Sequence, residues 1–203
     1  MAERRLLVSA AVLAGGQSRR MGQNKAFLRR PDGRLFIEAV LACLEVVSDD
    51  RLVVAGDLAP YAGLPARLVA DRFPGQGPLA GVHAALRAAR HRWCLVVACD
   101  LPWLEPGVLR ALVGAPRPAG VWAVVPRLGG RPLPVVGLYH RRCARVAERL
   151  LGSGQRRLGD LLQAVPVLFL DDDWWRRHDP TGRALCDVDT PADLAALWEG
   201  RPG

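Results

Sequence analysis

Residues 6–25 read LLVSAAVLAGGQSRRMGQNK, and this stretch is the strongest indication of the fold class. A short, continuous apolar run is typical of a strand buried on both faces of a parallel sheet, and here it ends in Gly15-Gly16. Two glycines after such a strand let the backbone approach a ligand at the carboxyl edge of the sheet, where α/β proteins bind their ligands. Hydroxyl and basic side chains that suit a polyphosphate follow: Ser18, Arg19, Arg20 and Lys25. The spacing matches neither a Walker A loop nor GxGxxG, so a plain tight turn is the alternative.

The rest of the chain alternates valine- and leucine-rich runs with segments of helical periodicity. The predicted strands are 6–13, 52–54, 67–70, 93–98, 121–125, 133–138 and 165–170. The predicted helices are 36–47, 79–90, 141–151 and 158–162, with a last one beginning at Thr190-Pro191. This alternation predicts right-handed crossovers and a three-layer α/β architecture with a mostly parallel sheet. We expect residues 1–203 to form one domain and the polar stretch 171–183 to be a loop.

The composition excludes several classes of protein. Half of the 203 residues are apolar, which excludes a disordered chain, and no tract is long enough to span a membrane. The net charge of +8 comes from arginines scattered in pairs, without the interleaved aromatic residues of a nucleic-acid platform, so acidic small molecules are the favoured partners. Of the 28 basic residues, 27 are arginine and one, Lys25, is lysine. A compact ammonium group on a flexible side chain can stay in contact with a phosphate as that phosphate moves during a reaction. A plain surface lysine is the alternative.

The cysteines indicate a reducing compartment. They number five and contain no CxxC pair, so neither a disulfide framework nor a structural zinc site is supported. Residues 1–13 resemble a signal peptide only weakly, because no convincing cleavage site follows the apolar run. We therefore expect a cytoplasmic protein that does not associate with membranes.

Two acidic motifs point to chemistry at the same sheet edge. Asp100 directly follows the buried run 93–98, and an unpaired carboxylate there would be costly, so it needs a partner such as Mg²⁺. Asp71 follows the predicted strand 67–70, before Gly77-Pro78 begins a helix whose free N–H groups face the site. A cap before Pro102 is the alternative for Asp100, and a structural loop is the alternative for the Asp71 segment.

A third acidic motif, Asp187-Val188-Asp189, precedes the last predicted helix. Its carboxylates could add to the metal site. Acidic residues are also common ahead of a helix N-terminus, which is the alternative.

These segments together resemble the molybdenum cofactor guanylyltransferases of the nucleotidyltransferase superfamily. The resemblance rests on LAGGQSRRMGQNK (13–25), GPLAG (77–81), CDLP (99–102) and residues 187–194, and it covers nearly the whole chain. Related cytidylyltransferases for the same pterin usually carry LAAG and CDQP, so LAGG and CDLP favour guanine. A cytidylyltransferase, or a nucleotidyltransferase acting on another phosphorylated metabolite, is the alternative within this class. A regulator that binds a nucleotide without turnover, or a basic nucleic-acid-binding domain, is the alternative outside it.

The resemblance implies a Rossmann-like fold that uses GTP and Mg²⁺ and transfers GMP to the terminal phosphate of molybdopterin, with molybdenum-insertion or acceptor proteins as further partners. It implies nucleotide contacts from the glycine-rich segment, from Lys25 on the phosphates and from Asp71 on the nucleoside, with Asp100 holding the metal. The glycine-rich contacts are Leu13, Ala14, Gly15 and Gly16. We expect Lys25 and Arg19 to stabilise charge on the transferring and leaving phosphates.

Two segments depart from the family pattern. Many relatives have Asn-x-Asn where this chain has Asp187 and Asp189, and many have an asparagine after the second strand where this chain has Ala55.

Overall fold

An eight-stranded sheet forms the middle layer of the computed structural model, which describes residues 7–15 and 24–198. The strands are β1 (Ser9–Leu13), β2 (Asp50–Ala55), β3 (Arg67–Ala70), β4 (Trp93–Ala98), β5 (Ala123–Leu128), β6 (Arg131–Pro132), β7 (Val136–His140) and β8 (Val167–Leu170). Their order is β3-β2-β1-β4-β7-β5-β6, and β8 pairs with β5. The pairs among β3, β2, β1 and β4 are parallel, whereas β7 runs antiparallel to both β4 and β5.

Helices cover both faces of the sheet. They are α1 (Phe36–Glu45), α2 (Pro78–Ala88), α3 (Pro106–Gly114), α4 (Cys143–Gly152), α5 (Leu158–Ala164), α6 (Asp172–His178) and α7 (Pro191–Trp198). One apolar cluster joins the sheet to α1, α3 and α6, and a second joins it to α2, α4 and α5. Neighbouring strand residues such as Cys94 and Leu95 belong to different clusters because successive side chains of a strand point to opposite faces. The three-layer α/β architecture with a mostly parallel sheet is confirmed.

The parallel register gathers loop residues at one edge. Leu13 pairs with both Val54 of β2 and Ala98 of β4, so the residues that follow these three positions leave the sheet side by side. The Leu13 carbonyl accepts the Cys99 N–H at 3.3 Å. The Ala14 N–H in turn donates to the Val54 carbonyl at 2.9 Å. This carboxyl edge is where the sequence predicts the site.

Two predictions about local structure are wrong. The stretch 171–183 contains helix α6, because acidic residues in its first turn and basic residues in its last turn complement the helix dipole. Trp175 buries its ring there, and its Nε1 donates to the Leu170 carbonyl at 2.9 Å.

The second wrong prediction concerns a strand. The strand expected at 133–138 lies instead at Val136–His140 and is antiparallel. Burial on both faces makes parallel and antiparallel central strands look alike in sequence.

Helix α3 was not predicted, although its sequence carries the signals of a helix. Pro106 occupies its first turn, and Val108, Leu109, Leu112 and Val113 form its buried stripe.

The predicted start of the last helix is confirmed. Thr190 Oγ1 accepts the Asp193 N–H at 3.2 Å, and the Asp193 carboxylate accepts the Thr190 N–H at 2.7 Å. This reciprocal pair is a capping box. Within residues 7–15 and 24–198, no helix has the length and apolar character needed to cross a bilayer.

Candidate nucleotide and metal site

Lys25 begins a short 3-10 helix, Lys25–Phe27, at the carboxyl edge of the sheet. Asn24 caps this helix, because its side-chain oxygen accepts the Ala26 N–H at 3.0 Å. The Lys25 Nζ donates to Asp100 Oδ2 at 2.9 Å and also to Asp189 Oδ1. Three stretches of chain that are distant in sequence therefore meet at a single ammonium group.

The fold explains why Asp100 reaches this point. The β1–β4 register sets Leu13 opposite Ala98, so Asp100 leaves the sheet beside Gly15. Its carboxylate, which is 20% exposed, has Lys25 as the partner that a half-buried acid needs. The structure thus brings together the lysine and the aspartate that the sequence singles out.

Val188 holds the third stretch in place. Its N–H donates to the Asp100 carbonyl at 3.0 Å, and its side chain is buried with Leu28 and Phe36 in a small apolar cluster. Asp187 and Asp189 flank this anchored residue, and their carboxylate oxygens lie close to that of Asp100.

The charges of the site shift the pKa values of two groups. Burial acts to lower the pKa of Lys25, but its hydrogen bonds to Asp189 and Asp100 outweigh burial, and the pKa is raised. Burial raises the pKa of Asp187, and the neighbouring Asp189 and Asp100 raise it further. Lys25 therefore stays protonated at neutral pH, and Asp187 lies in a region of excess negative charge.

The same carboxylates fit a divalent cation. Oxygens of Asp100, Asp187 and Asp189 lie within 4.8 Å of one another. Three carboxylates beside one ammonium leave a net charge of about −2 when all are ionised, and this charge opposes binding of a triphosphate unless a cation offsets it. Oxygen donors are the ligands that Mg²⁺ prefers, so the donor set suits that ion.

Asp71 lies at the same edge, three strands away from Asp100. Its N–H donates to the Ala55 carbonyl at 3.0 Å, and its carboxylate accepts the Phe73 N–H at 2.8 Å. Three strand spacings correspond to about 14 Å. An extended nucleotide could therefore span from Lys25 to Asp71, but the two side chains do not meet.

A tyrosine that sequence analysis missed joins the two described ends of the glycine-rich segment. Tyr61 Oη donates to the Ala14 carbonyl at 2.7 Å, and Asn24 Nδ2 donates to the same Oη at 2.7 Å. The tyrosine is 2% exposed and stacks on Phe27 with ring centroids 5.3 Å apart. The hydroxyl thus fixes the residues that precede and follow 16–23. No local sequence signal distinguishes this tyrosine from an ordinary core residue.

The start of α2 is also placed at this edge, as the sequence predicts. Gly77 precedes Pro78 with a φ of 75°, a conformation that favours glycine. A Cβ on Gly77 would lie 3.2 Å from the Arg156 carbonyl oxygen, so the connection between α4 and α5 packs against this helix start. Gly81 faces Leu13 closely, since a Cβ there would lie 3.2 Å from Leu13 Cδ2. Two other predicted site residues, Gly16 and Arg19, lie outside the described residues.

The chain is similar to known proteins in both sequence and fold. A profile of the MobA-like NTP transferase domain matches residues 10–167. A probable molybdenum cofactor guanylyltransferase of Chloroflexus aggregans is 34% identical, over 93% of this chain and 92% of its own. A molybdenum cofactor guanylyltransferase of Desulfosudis oleivorans is also 34% identical, over 96% of this chain and 98% of its own.

Solved structures agree with the sequence matches. Molybdopterin-guanine dinucleotide biosynthesis protein A from Archaeoglobus fulgidus superposes with a TM-score of 0.82 at 30% identity, covering 95% of this chain and 97% of its own. A 2-C-methyl-D-erythritol 4-phosphate cytidylyltransferase from Thermus thermophilus shares the fold alone, with a TM-score of 0.68 at 24% identity over 95% and 97% of the two chains. From the profile match, the relatives and the fold together, the chain belongs to the MobA-like NTP transferase family.

Proposed function

We propose that this protein transfers GMP from GTP to the terminal phosphate of molybdopterin, which forms the guanine dinucleotide cofactor and releases pyrophosphate. The observation that carries the proposal is the convergence of Lys25, Asp100 and Asp189 at the sheet edge of a chain similar to molybdenum cofactor guanylyltransferases over almost its full length.

The reaction needs no covalent enzyme intermediate, but it does need the negative charge of its reactants to be offset. An oxygen of the pterin phosphate attacks the α-phosphorus of GTP in line. The new P–O bond forms as the bond to the pyrophosphate oxygen breaks, and the bonding electrons leave with pyrophosphate. Both reactants are anions, so catalysis consists of holding them together and offsetting their charge.

Lys25 is suited to that task. An ammonium group has three N–H donors, and Asp100 and Asp189 accept two of them. The third can meet a phosphate oxygen, and the two carboxylates hold the ammonium group in position before substrate arrives. A preorganised donor of this kind does not have to reorient during the reaction, which is why it lowers the barrier.

Asp100 would hold Mg²⁺, with Asp187 and Asp189 as the neighbouring oxygen donors. When bound, Mg²⁺ would neutralise charge on the phosphate oxygens. Asp71 and the backbone at Leu13, Ala14 and Gly15 lie along the same edge and would contact the nucleoside end of GTP. Arg19 and Gly16 belong to this proposal through the sequence resemblance alone.

The setting of the reaction is part of the proposal. All five cysteines are free, which supports a reducing, cytoplasmic compartment. Delivery of the pterin by molybdenum-insertion proteins, or transfer to acceptor proteins, stays a prediction, as does the single domain over residues 1–203.

The test is nucleotide selectivity. Purified protein would be incubated with Mg²⁺ and molybdopterin and, in separate reactions, with GTP, CTP, ATP or UTP, while pyrophosphate release is measured. We expect release with GTP that depends on the pterin. Release with CTP alone would identify a cytidylyltransferase, and tight GTP binding without release would identify a nucleotide-binding regulator.

A further inference from the structure

A second concave surface, which we call the arginine groove, lies at the edge of the sheet opposite the nucleotide site. It is formed by the end of α2, the start of β4, the end of β7 and the first two turns of α4, and its volume is about 1280 Å³. Trp93 at the start of β4 pairs with His140 at the end of β7, whereas Asp100 follows the other end of β4. The length of β4 separates the two surfaces by about 17 Å.

The arginine groove is strongly basic. Six of its lining residues are arginines and one, Glu148, is acidic. The arginines are Arg87, Arg92, Arg141, Arg142, Arg145 and Arg149. Within the part of the chain that the structure describes, none of the six forms an ion pair with a carboxylate. Arginines elsewhere do form such pairs: Arg34 with Asp32, Arg67 with Asp50 and Arg127 with Asp171.

Helix α4 adds to this positive charge. Its N-cap is Arg142, Arg145 follows in the first turn, and no acidic residue lies in that turn. Helix N-termini favour negative charge because their free N–H groups carry a partial positive charge. Basic side chains at this position leave the local charge uncompensated within the chain, and an external anion would relieve it. The pKa of His140 is lowered, first by burial and then by Arg142, Arg92 and Arg141, in agreement with a positive local potential.

The dimensions and chemistry of the groove select among anions. Its volume exceeds the ~300–1,000 Å³ usual for a small-molecule site, which favours a segment of a macromolecule over a free phosphate. Nucleic-acid surfaces offer aromatic faces on which bases stack. In this groove the aromatic rings already pack against the protein's own side chains, which argues against base stacking. The Arg142 guanidinium covers the Trp122 ring at 5.8 Å, Arg117 covers Trp93 at 5.6 Å, and His140 packs edge-on against Trp93 at 5.2 Å.

Arginines on α4 suit carboxylates presented at regular spacing. Arg142 at the N-cap of α4, and Arg145 and Arg149 within it, lie three and four positions apart and so share one side of the helix. A guanidinium group can donate two parallel hydrogen bonds to the oxygens of one carboxylate. We propose that the arginine groove is a docking surface for an acidic segment, rich in aspartate and glutamate, of a partner protein. This inference does not depend on the proposed nucleotidyl transfer.

Binding of a labelled decaglutamate peptide, measured by fluorescence anisotropy at low ionic strength, tests the proposal. The groove variant is the triple substitution Arg141→Gln, Arg145→Gln and Arg149→Gln, which keeps Arg142 on Trp122. We expect the dissociation constant of the peptide to rise about tenfold or more, because three charge pairs are lost. Thermal unfolding of the variant checks that it is folded, and Arg145→Glu alone provides a second, milder variant whose affinity should also fall.

The matched control removes the same charge elsewhere. Arg110→Gln, Arg176→Gln and Arg177→Gln lie on α3 and α6, at the other face of the sheet. Unchanged affinity in this control supports a specific surface. Equal weakening in both triple variants would reduce the effect to net charge and overturn the proposal, as would absence of peptide binding by the wild type. Tighter binding of a charge-matched oligothymidylate than of the peptide, lost in the groove variant, would identify a nucleic-acid surface instead.

Discussion

The Lys25 ammonium group lies 2.9 Å from the Asp100 carboxylate, although 75 residues separate them in the sequence. Asp189, from near the other end of the chain, accepts a second hydrogen bond from the same group. A local turn cannot bring these three residues together. The parallel register of β1 and β4 and the anchoring of Val188 on the Asp100 carbonyl do so.

Replacement of this ammonium group should affect turnover far more than folding. We expect Lys25→Ala to lower the rate of pyrophosphate release by about 10²-fold or more, the scale of losing one preorganised electrostatic group. Lys25→Arg should recover little of the lost rate, because a planar guanidinium group cannot replace a compact ammonium group between two carboxylates. Steady-state pyrophosphate release and a thermal melt of each variant are the measurements. Wild-type turnover in a folded Lys25→Ala protein would remove this residue from the mechanism.

Replacement of the Asp100 carboxylate should weaken metal dependence. In Asp100→Asn the amide keeps the shape of the side chain but removes a charge from the set of three carboxylates. Titration of Mg²⁺ against pyrophosphate release should show a lost or strongly right-shifted response, and calorimetry with Mg²⁺ alone should show weaker binding. Asp49→Asn, at an exposed position just before β2 and so at the opposite edge of the sheet, is the control. Full magnesium-dependent activity in Asp100→Asn would contradict a metal role.

The Tyr61 hydroxyl should matter to both stability and GTP binding. Tyr61→Phe leaves the Ala14 carbonyl and the Asn24 amide without their shared partner, which costs about 1–3 kcal/mol of stability when polar groups are buried. Since both groups flank the glycine-rich segment, the KM for GTP should rise as well. Urea unfolding and steady-state kinetics measure the two effects.

Ser48→Ala provides the matched comparison for Tyr61→Phe. Ser48 Oγ donates to the Val8 carbonyl at 2.7 Å, at the opposite end of β1. Loss of this hydrogen bond should lower stability and leave the KM for GTP unchanged. A similar KM change in both variants would mean that Tyr61 acts through global stability alone.

The buried His83 should make stability depend on pH. Its side chain is 1% exposed, and neither ring nitrogen has a hydrogen-bond partner among the described residues. Burial lowers the pKa of His83 below 6.5, the ordinary value for histidine. The unfolded chain therefore binds more protons as the pH falls below about 6.5, and stability decreases from there down to the folded-state pKa.

Replacement of His83 by an apolar residue should remove this loss of stability at low pH. The melting temperature of His83→Leu relative to wild type should be higher at pH 5 than at pH 8, as measured by differential scanning fluorimetry. Leu86→Ala, a buried apolar position in the same helix that carries no titratable group, should show the same difference at both pH values. A pH-independent difference for His83→Leu would show that this imidazole is not the titrating group.

Local patterns predicted most elements because hydrophobic period and helix capping act over a few residues. β4 and β3 have the predicted bounds, and the Thr190–Asp193 capping box forms as expected. The direction of a strand was harder to predict from the sequence. β7 is as apolar as a parallel strand, and only its pairing with β4 and β5 shows that it is antiparallel. The polar composition of 171–183 likewise concealed a short helix held by burial of Trp175.

Short stretches of sequence were enough to predict the chemical groups of the site: the chain's one lysine, which follows a glycine-rich segment, and acidic residues that follow buried strands. The hydrophobic pattern of a strand and the cost of burying an unpaired charge both depend on residues that are close in sequence. They can therefore be recognised in a single stretch of chain. Which of these groups meet depends on the three-dimensional fold. The position of Tyr61 between Ala14 and Asn24, the proximity of Asp187 and Asp189 to Asp100, and the gathering of arginines opposite the site all arise from contacts between distant segments, which sheet register and helix packing alone determine.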